Sequence, residues 1–143
     1  MMDCLIIGDS IAHGVHSVMP ACVSLSEIGI SSSNWYKKYH DRPLLDMQAY
    51  RFVVISLGTN DLASADIRTL MIKIRQKVQA DQIIWILPSD IERPEQRSKV
   101  QQVAQDYGDL TVSITDLTGN DHVHPPTVAA YERVAKRIKD TVK

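Results

Sequence analysis

Ser10 follows the apolar run Cys4-Leu5-Ile6-Ile7 and the pair Gly8-Asp9, at the head of a segment with a helical pattern. A serine in that place has its own backbone N–H, and those of the next residues, turned toward a bound anion. It could equally be the cap of the helix, a role that serine fills well. Near the other end the chain reads Asp121-His122-Val123-His124-Pro125-Pro126, after the turn-forming Gly119-Asn120. A nucleophilic serine needs a general base, and the base needs an acceptor that fixes its tautomer and stabilises the imidazolium. Asp121 and His124, three residues apart in a bent loop, meet that need within one turn. Pro125 also pushes His124 away from helical geometry. By itself, Asp-x-x-His fits a polar surface loop as well.

Asn60, in Gly58-Thr59-Asn60-Asp61, offers a side-chain amide of the kind that donates to a developing oxyanion in acyl transfer. Its other reading is an Asx-turn residue after a buried strand. Gly29, in Glu27-Ile28-Gly29-Ile30, has no side chain to keep its N–H from a ligand, and is otherwise a turn glycine.

These residues need a frame to bring them together. Apolar runs of strand length alternate with helical patterns along the whole chain, which is the signature of a parallel α/β sheet. Strands are expected near Cys4–Ile7, Cys22–Leu25, Phe52–Leu57, Ile83–Leu87 and Leu110–Ile114. Ile67, Leu70, Met71, Ile74 and Val78 form one helical stripe. A second helix starts at Pro94, carries Val100, Val103, Ala104 and Tyr107, and stops at Gly108. A third runs from an N-cap at Thr127, with Tyr131, Val134, Ala135, Ile138 and Val142 facing in. A short helix is read around Asn34–Lys38.

The runs at 4–7, 52–57 and 83–87 are apolar throughout, as in strands covered on both faces, whereas those at 22–25 and 110–114 alternate, as at sheet edges. Right-handed crossovers then favour the order 2-1-3-4-5, with a switch point between strands one and three. Ligands of open α/β sheets bind at the carboxyl ends of the strands at such a point. That place holds Gly8-Asp9-Ser10 and Gly58-Thr59-Asn60-Asp61.

Gly8-Asp9-Ser10, Gly29, Gly58-Thr59-Asn60-Asp61 and Asp121-x-x-His124, in this order and context, resemble the SGNH (GDSL) hydrolases. Each motif is short, but four in order on matching strand ends are specific together. The resemblance implies Ser10 as nucleophile, His124 as general base and acid, and Asp121 as the residue orienting His124. It implies an oxyanion hole made of the Ser10 N–H, the Gly29 N–H and the Asn60 amide, with Asp9 and Asp61 organising their loops. It also implies a flavodoxin-like three-layer α/β/α sandwich, here one domain over residues 1–143. Its members hydrolyse esters, often acetyl groups on carbohydrate, or thioesters and lipid esters. Ile11 stands where leucine is usual in the family, and His122 where a small residue is common. That leaves two histidines in the loop, of which spacing and the following proline favour His124.

Sixteen Lys plus Arg against seventeen Asp plus Glu give a net charge of −1, which excludes the electrostatic footprint of a nucleic-acid binder. No stretch approaches a membrane span, and the N-terminus lacks the pattern of a signal peptide, so a cytoplasmic location is expected. Cys4 and Cys22 are expected as buried free thiols, with a disulfide between them as the unsupported alternative. His13, His16, His122 and His124 could be drawn as a metal site, but His124 has a better use, and no metal or cofactor is expected. Trp35 and Tyr36 fit a substrate groove or surface packing, and Trp85 fits the core.

Two other functional classes fit parts of the pattern. A carbohydrate- or acyl-binding module without turnover would keep the fold but leave the Ser-His-Asp set unused. A receiver-type phosphoacceptor would use Asp9 and Asp61 but leave Ser10, Gly29 and His124 without roles. The expected partner is a small-molecule or carbohydrate ester. The short loops at 88–93 and 119–126 favour short acyl groups over long ones.

Overall fold

The computed structural model describes residues 4–46 and 49–143. Five parallel strands form one sheet in the order β2-β1-β3-β4-β5. They are β1 (Cys4–Gly8), β2 (Val23–Ser26), β3 (Tyr50–Ser56), β4 (Ala80–Ile86) and β5 (Leu110–Val112). The two alternating strands are the edges, and the three apolar ones lie between them.

Period-two alternation splits the central strands between two cores. Leu5 and Ile7 of β1, Val53 and Ile55 of β3, and Ile83 and Trp85 of β4 face one layer. That layer contains α2 (Ser32–Tyr39), α3 (Ile67–Arg75) and α4 (Pro94–Tyr107), which contribute Trp35, Met71 and Val100 among others. Ile6, Val54, Ile84 and Ile86 face the opposite layer, where α1 (Ser10–Val18) and α5 (Val128–Thr141) supply Ile11, Val15, Val134 and Ile138.

The helices end where the sequence marks them. Thr127 caps α5 by accepting from the Ala130 N–H at 3.1 Å, and Gly108 closes α4 in the left-handed conformation. The short helix expected at 34–38 is longer at both ends, because Ser31 caps it through the Asn34 N–H. Two expectations about side chains change. Trp35 is fully buried and donates its Nε1–H to the Leu25 carbonyl at 2.9 Å, so it is core and lines no groove. Gly14, which with Gly8 the sequence offers as room for the turn at Ser10, lies instead inside α1; a Cβ there would stand 2.2 Å from the Tyr131 ring, so this glycine lets α5 close on α1.

The cysteines are also corrected. Cys4 and Cys22 form a disulfide, with Cα atoms 4.8 Å apart. The strand register explains it. Leu5 pairs with Val23, so the preceding residues of the two parallel strands fall side by side. Such a bridge persists in oxidising compartments. No helix among the described residues is long and apolar enough to cross a membrane.

Candidate active site

The carboxyl ends of β1, β2 and β3 and the loop before α5 converge at one end of the sheet. Gly8, at the end of β1, has φ +142°, and a Cβ there would lie 1.9 Å from the Ser56 carbonyl oxygen. Only glycine fits so close to β3. The chain then turns, and the Asp9 N–H donates to the Ser56 carbonyl at 2.9 Å.

Asp9, not Ser10, caps α1. Its Oδ1 accepts from the Ile11 N–H at 3.0 Å and from the Ser56 hydroxyl at 3.1 Å. Ser10 is thereby the first helical residue, where helix geometry leaves an N–H without an internal partner. Its hydroxyl is free of capping duty and meets His124.

The Ser10 Oγ lies 2.9 Å from Nε2 of His124, and Nδ1 of His124 lies 2.8 Å from Oδ2 of Asp121. The other Asp121 oxygen, Oδ1, accepts the Val123 N–H at 2.9 Å and the His124 N–H at 3.0 Å. The backbone can bend this tightly because His122 sits at φ +55°, the one non-glycine residue with positive φ among those described. That turn sends Val123 into the core and leaves His122 exposed. It separates the two histidines: His124 joins Ser10 and Asp121, and His122 does not. His16 is also placed apart, bonded through Nε2 to the Cys22 carbonyl at 3.0 Å.

The two carboxylates near Ser10 titrate in opposite directions. Complete burial pushes the Asp9 carboxyl up to about 6, against the smaller opposing effects of the Ile11 N–H and the Ser56 hydroxyl. Asp121 is held down at about 2, first by the His124 N–H, then by the His124 ring and the Val123 N–H.

Gly29 adopts φ +79° in the loop after β2, and its missing side chain faces open space. Asn60 is exposed after β3, and its Nδ2 donates to the Ile30 carbonyl at 3.0 Å. One N–H of that amide is therefore anchored and the second remains to donate. Sequence reasoning missed the surrounding contacts. The Oδ1 of Asp61 accepts the Ser32 N–H at 2.7 Å, Arg93 Nε donates to the Thr59 carbonyl at 2.8 Å, and Gln96 Nε2 donates to the Asp61 carbonyl at 2.9 Å. Pairings 29 to 35 residues apart leave no mark in a single chain's spacing.

The arrangement can do one kind of chemistry directly. A hydroxyl bonded to an imidazole, itself bonded to a carboxylate, can attack an electrophilic carbon while the imidazole takes the proton. The site is open: the His124 side chain is 39% exposed and that of Asp121 is 53% exposed. Beside Asn60 lies a cavity of about 380 Å³ lined by Thr59, Asp61, Leu62, Arg93 and Gln96.

No protein-family model matches the sequence, and no curated protein matches it. Solved structures do match. A GDSL-like lipase from Bacteroides thetaiotaomicron superposes with a TM-score of 0.68 at 16% identity, over 97% of this chain and 86% of that one. A lipase/acylhydrolase from Enterococcus faecalis gives a TM-score of 0.68 at 16% identity, covering 96% of this chain and 93% of the other. A carbohydrate acetylesterase from Sinorhizobium meliloti gives 0.67 at 11% identity, over 99% and 98% of the two chains. The chain thus has the flavodoxin-like α/β fold of the GDSL-type lipases and acylhydrolases, with the strand order that the sequence predicts.

Proposed function

We propose that this protein is a serine ester hydrolase in which Ser10 attacks the acyl carbon, His124 moves the proton, and Asp121 holds the imidazole. The observation that carries this reading is the unbroken chain of hydrogen bonds from Ser10 Oγ through His124 to Asp121, at 2.9 and 2.8 Å. In the first step His124 takes the hydroxyl proton as Ser10 bonds to the acyl carbon, and then gives that proton to the departing alkoxide. In the second step a water attacks the acyl-serine, again with His124 as base, and the carboxylic acid leaves. Through both steps the Ser10 N–H, the Gly29 N–H and the Asn60 amide would face the oxyanion.

The proposed substrate is a short-chain ester, with O-acetylated carbohydrate as the favoured class. The open site and the half-exposed His124 support it. Ile28 beside Gly29 and Leu62 beside Asn60 are exposed, but such scattered side chains enclose no long acyl chain, which gains about 0.8 kcal/mol per methylene only where apolar surface covers it. The fold shared with a carbohydrate acetylesterase agrees with this class.

A serine-directed fluorophosphonate should label the native protein at Ser10, as located by peptide mass spectrometry. In a series of otherwise identical esters from C2 to C10, kcat/KM should be highest at the short end. A folded protein that is neither labelled nor active on any ester would mean that the same site binds without turnover. A kcat/KM climbing to C10 would keep the mechanism and remove the short-chain assignment.

A further inference from the structure

The proposed oxyanion donors belong to two loops that no strand pairing joins: Gly29 lies after β2, and Asn60 after β3. In the sheet β1 separates those two strands. Their relative position is therefore not set by a shared ladder, and something else must fix it. Two hydrogen bonds cross the gap. Asn60 Nδ2 donates to the Ile30 carbonyl, and the Ser32 N–H donates to the Asp61 carboxylate at 2.7 Å.

We infer that Asp61 is a positioning residue, a strap that holds the Asn60 amide and the Gly29 N–H at the spacing an oxyanion hole requires. What that spacing serves rests on the esterase reading above.

Asp61 is 8% exposed and keeps one oxygen, Oδ2, buried without a partner. A buried carboxylate with a single side-chain hydrogen bond is a costly way to build an ordinary turn. Its position explains the residue type. Ser32 is the first residue of α2, so its N–H is one that the helix cannot satisfy, and the positive end of the helix suits an anion. The carboxylate is thereby directed toward α2, and its neighbour Asn60 stays exposed at the site edge. The Asp61 backbone is clamped from the far side: Gln96 of α4 donates to its carbonyl, and Arg93 donates to the Thr59 carbonyl. Asn60 thus lies between two residues held by Arg93 and by Gln96 of α4, and the strap to Ser32 helps carry this rigidity to the Gly29 loop.

The test uses three variants of the full chain. Asp61→Ala removes the acceptor. Asp61→Asn keeps an oxygen for the Ser32 N–H. Ser32→Pro removes the donor at the first helical position, where proline is tolerated, after a residue whose extended backbone (φ −81°, ψ 162°) suits a following proline. Asp61→Ala and Ser32→Pro should each lower kcat by about 10-fold to 10²-fold with KM nearly unchanged, less than the roughly 10²–10³ expected for losing one oxyanion donor outright. Asp61→Asn should recover most of that loss. Asp61→Ala combined with Asn60→Ala should lose less than the product of the two single losses, because part of the strap's effect runs through that amide.

A second readout is independent of turnover. The ¹H–¹⁵N resonances of the Asn60 side-chain amide and the Gly29 N–H should move together in Asp61→Ala and Ser32→Pro, and stay near their wild-type positions in Asp61→Asn. Unchanged kcat and resonances in a folded Asp61→Ala protein would overturn the inference, as would losses that multiply in the double variant. A wild type inactive on every ester would sink the esterase reading alone, and the resonances would then decide whether the strap exists.

Discussion

The buried end of β1 and the exposed loop before α5 meet at one hydrogen bond, and they are built in opposite ways. Around Ser10 the backbone is locked by close packing: Gly8 lies against β3, Asp9 is fully buried, and Ser56 bonds it from below. Around His124 the loop is open, and local hydrogen bonds do the work. Asp121 accepts two backbone N–H groups and the imidazole, and His122 supplies the sharp turn. The contrast appears in the carboxylates. Burial raises Asp9 to about 6, whereas donors around an exposed group lower Asp121 to about 2. On the proposed mechanism, the attacking atom would take its rigidity from the core. The base would take charge and tautomer control from a self-contained loop.

If the loop works as a unit with His124 as its only functional imidazole, His124→Ala should cost on the order of 10⁴ or more in kcat. His122→Ala should keep most of the activity, because that ring lies outside the hydrogen-bond chain. Rate assays on one short activated ester check both. An essential His122 with a dispensable His124 would break the distinction between the two.

The buried end makes a different prediction, in stability. A carboxyl raised from 3.8 to about 6 holds its proton in the native state after the unfolded chain has released it. Between those values the native state binds more protons, so stability falls as pH rises. The difference amounts to on the order of 3 kcal/mol if the group stays buried. The depressed Asp121 acts with the opposite sign and lower down: its contribution is present above about 3.8 and is lost as pH falls toward 2. Asp9→Asn should therefore gain stability relative to wild type as pH rises from about 4 to about 7, read from urea midpoints. Curves that run parallel across that window would contradict the burial argument.

Much of this was legible in the sequence because it rests on local pattern. Continuous apolar runs against alternating ones separated central strands from edges, and that ordering selected the Gly8-Asp9-Ser10 and Gly58-Thr59-Asn60-Asp61 loops. Thr127, Pro94 and Gly108 marked their helix ends for stereochemical reasons that hold in most contexts. What escaped depends on tertiary neighbours. The Cys4–Cys22 bridge follows from strand register, which becomes readable only when the strand order is combined with the pairing of Leu5 and Val23. Gly14 looks like a flexible residue until the Tyr131 ring is seen against it. Ser10 reads as a possible helix cap, and only the geometry shows that Asp9 takes that role. The bond from Asp61 to Ser32 spans 29 residues and has no periodicity to betray it.

The most direct test of the central claim is the rate of a folded Ser10→Ala variant on a short activated ester, measured beside wild type. The Ser10 hydroxyl is half-buried and its side chain bonds only to His124 among the described residues, so its removal should leave the unfolding transition nearly unchanged. With Ser10 as the nucleophile, kcat should fall by about 10⁴–10⁶. A variant that keeps more than about a tenth of the wild-type rate, far above the residue left when such a nucleophile is lost, would contradict that role.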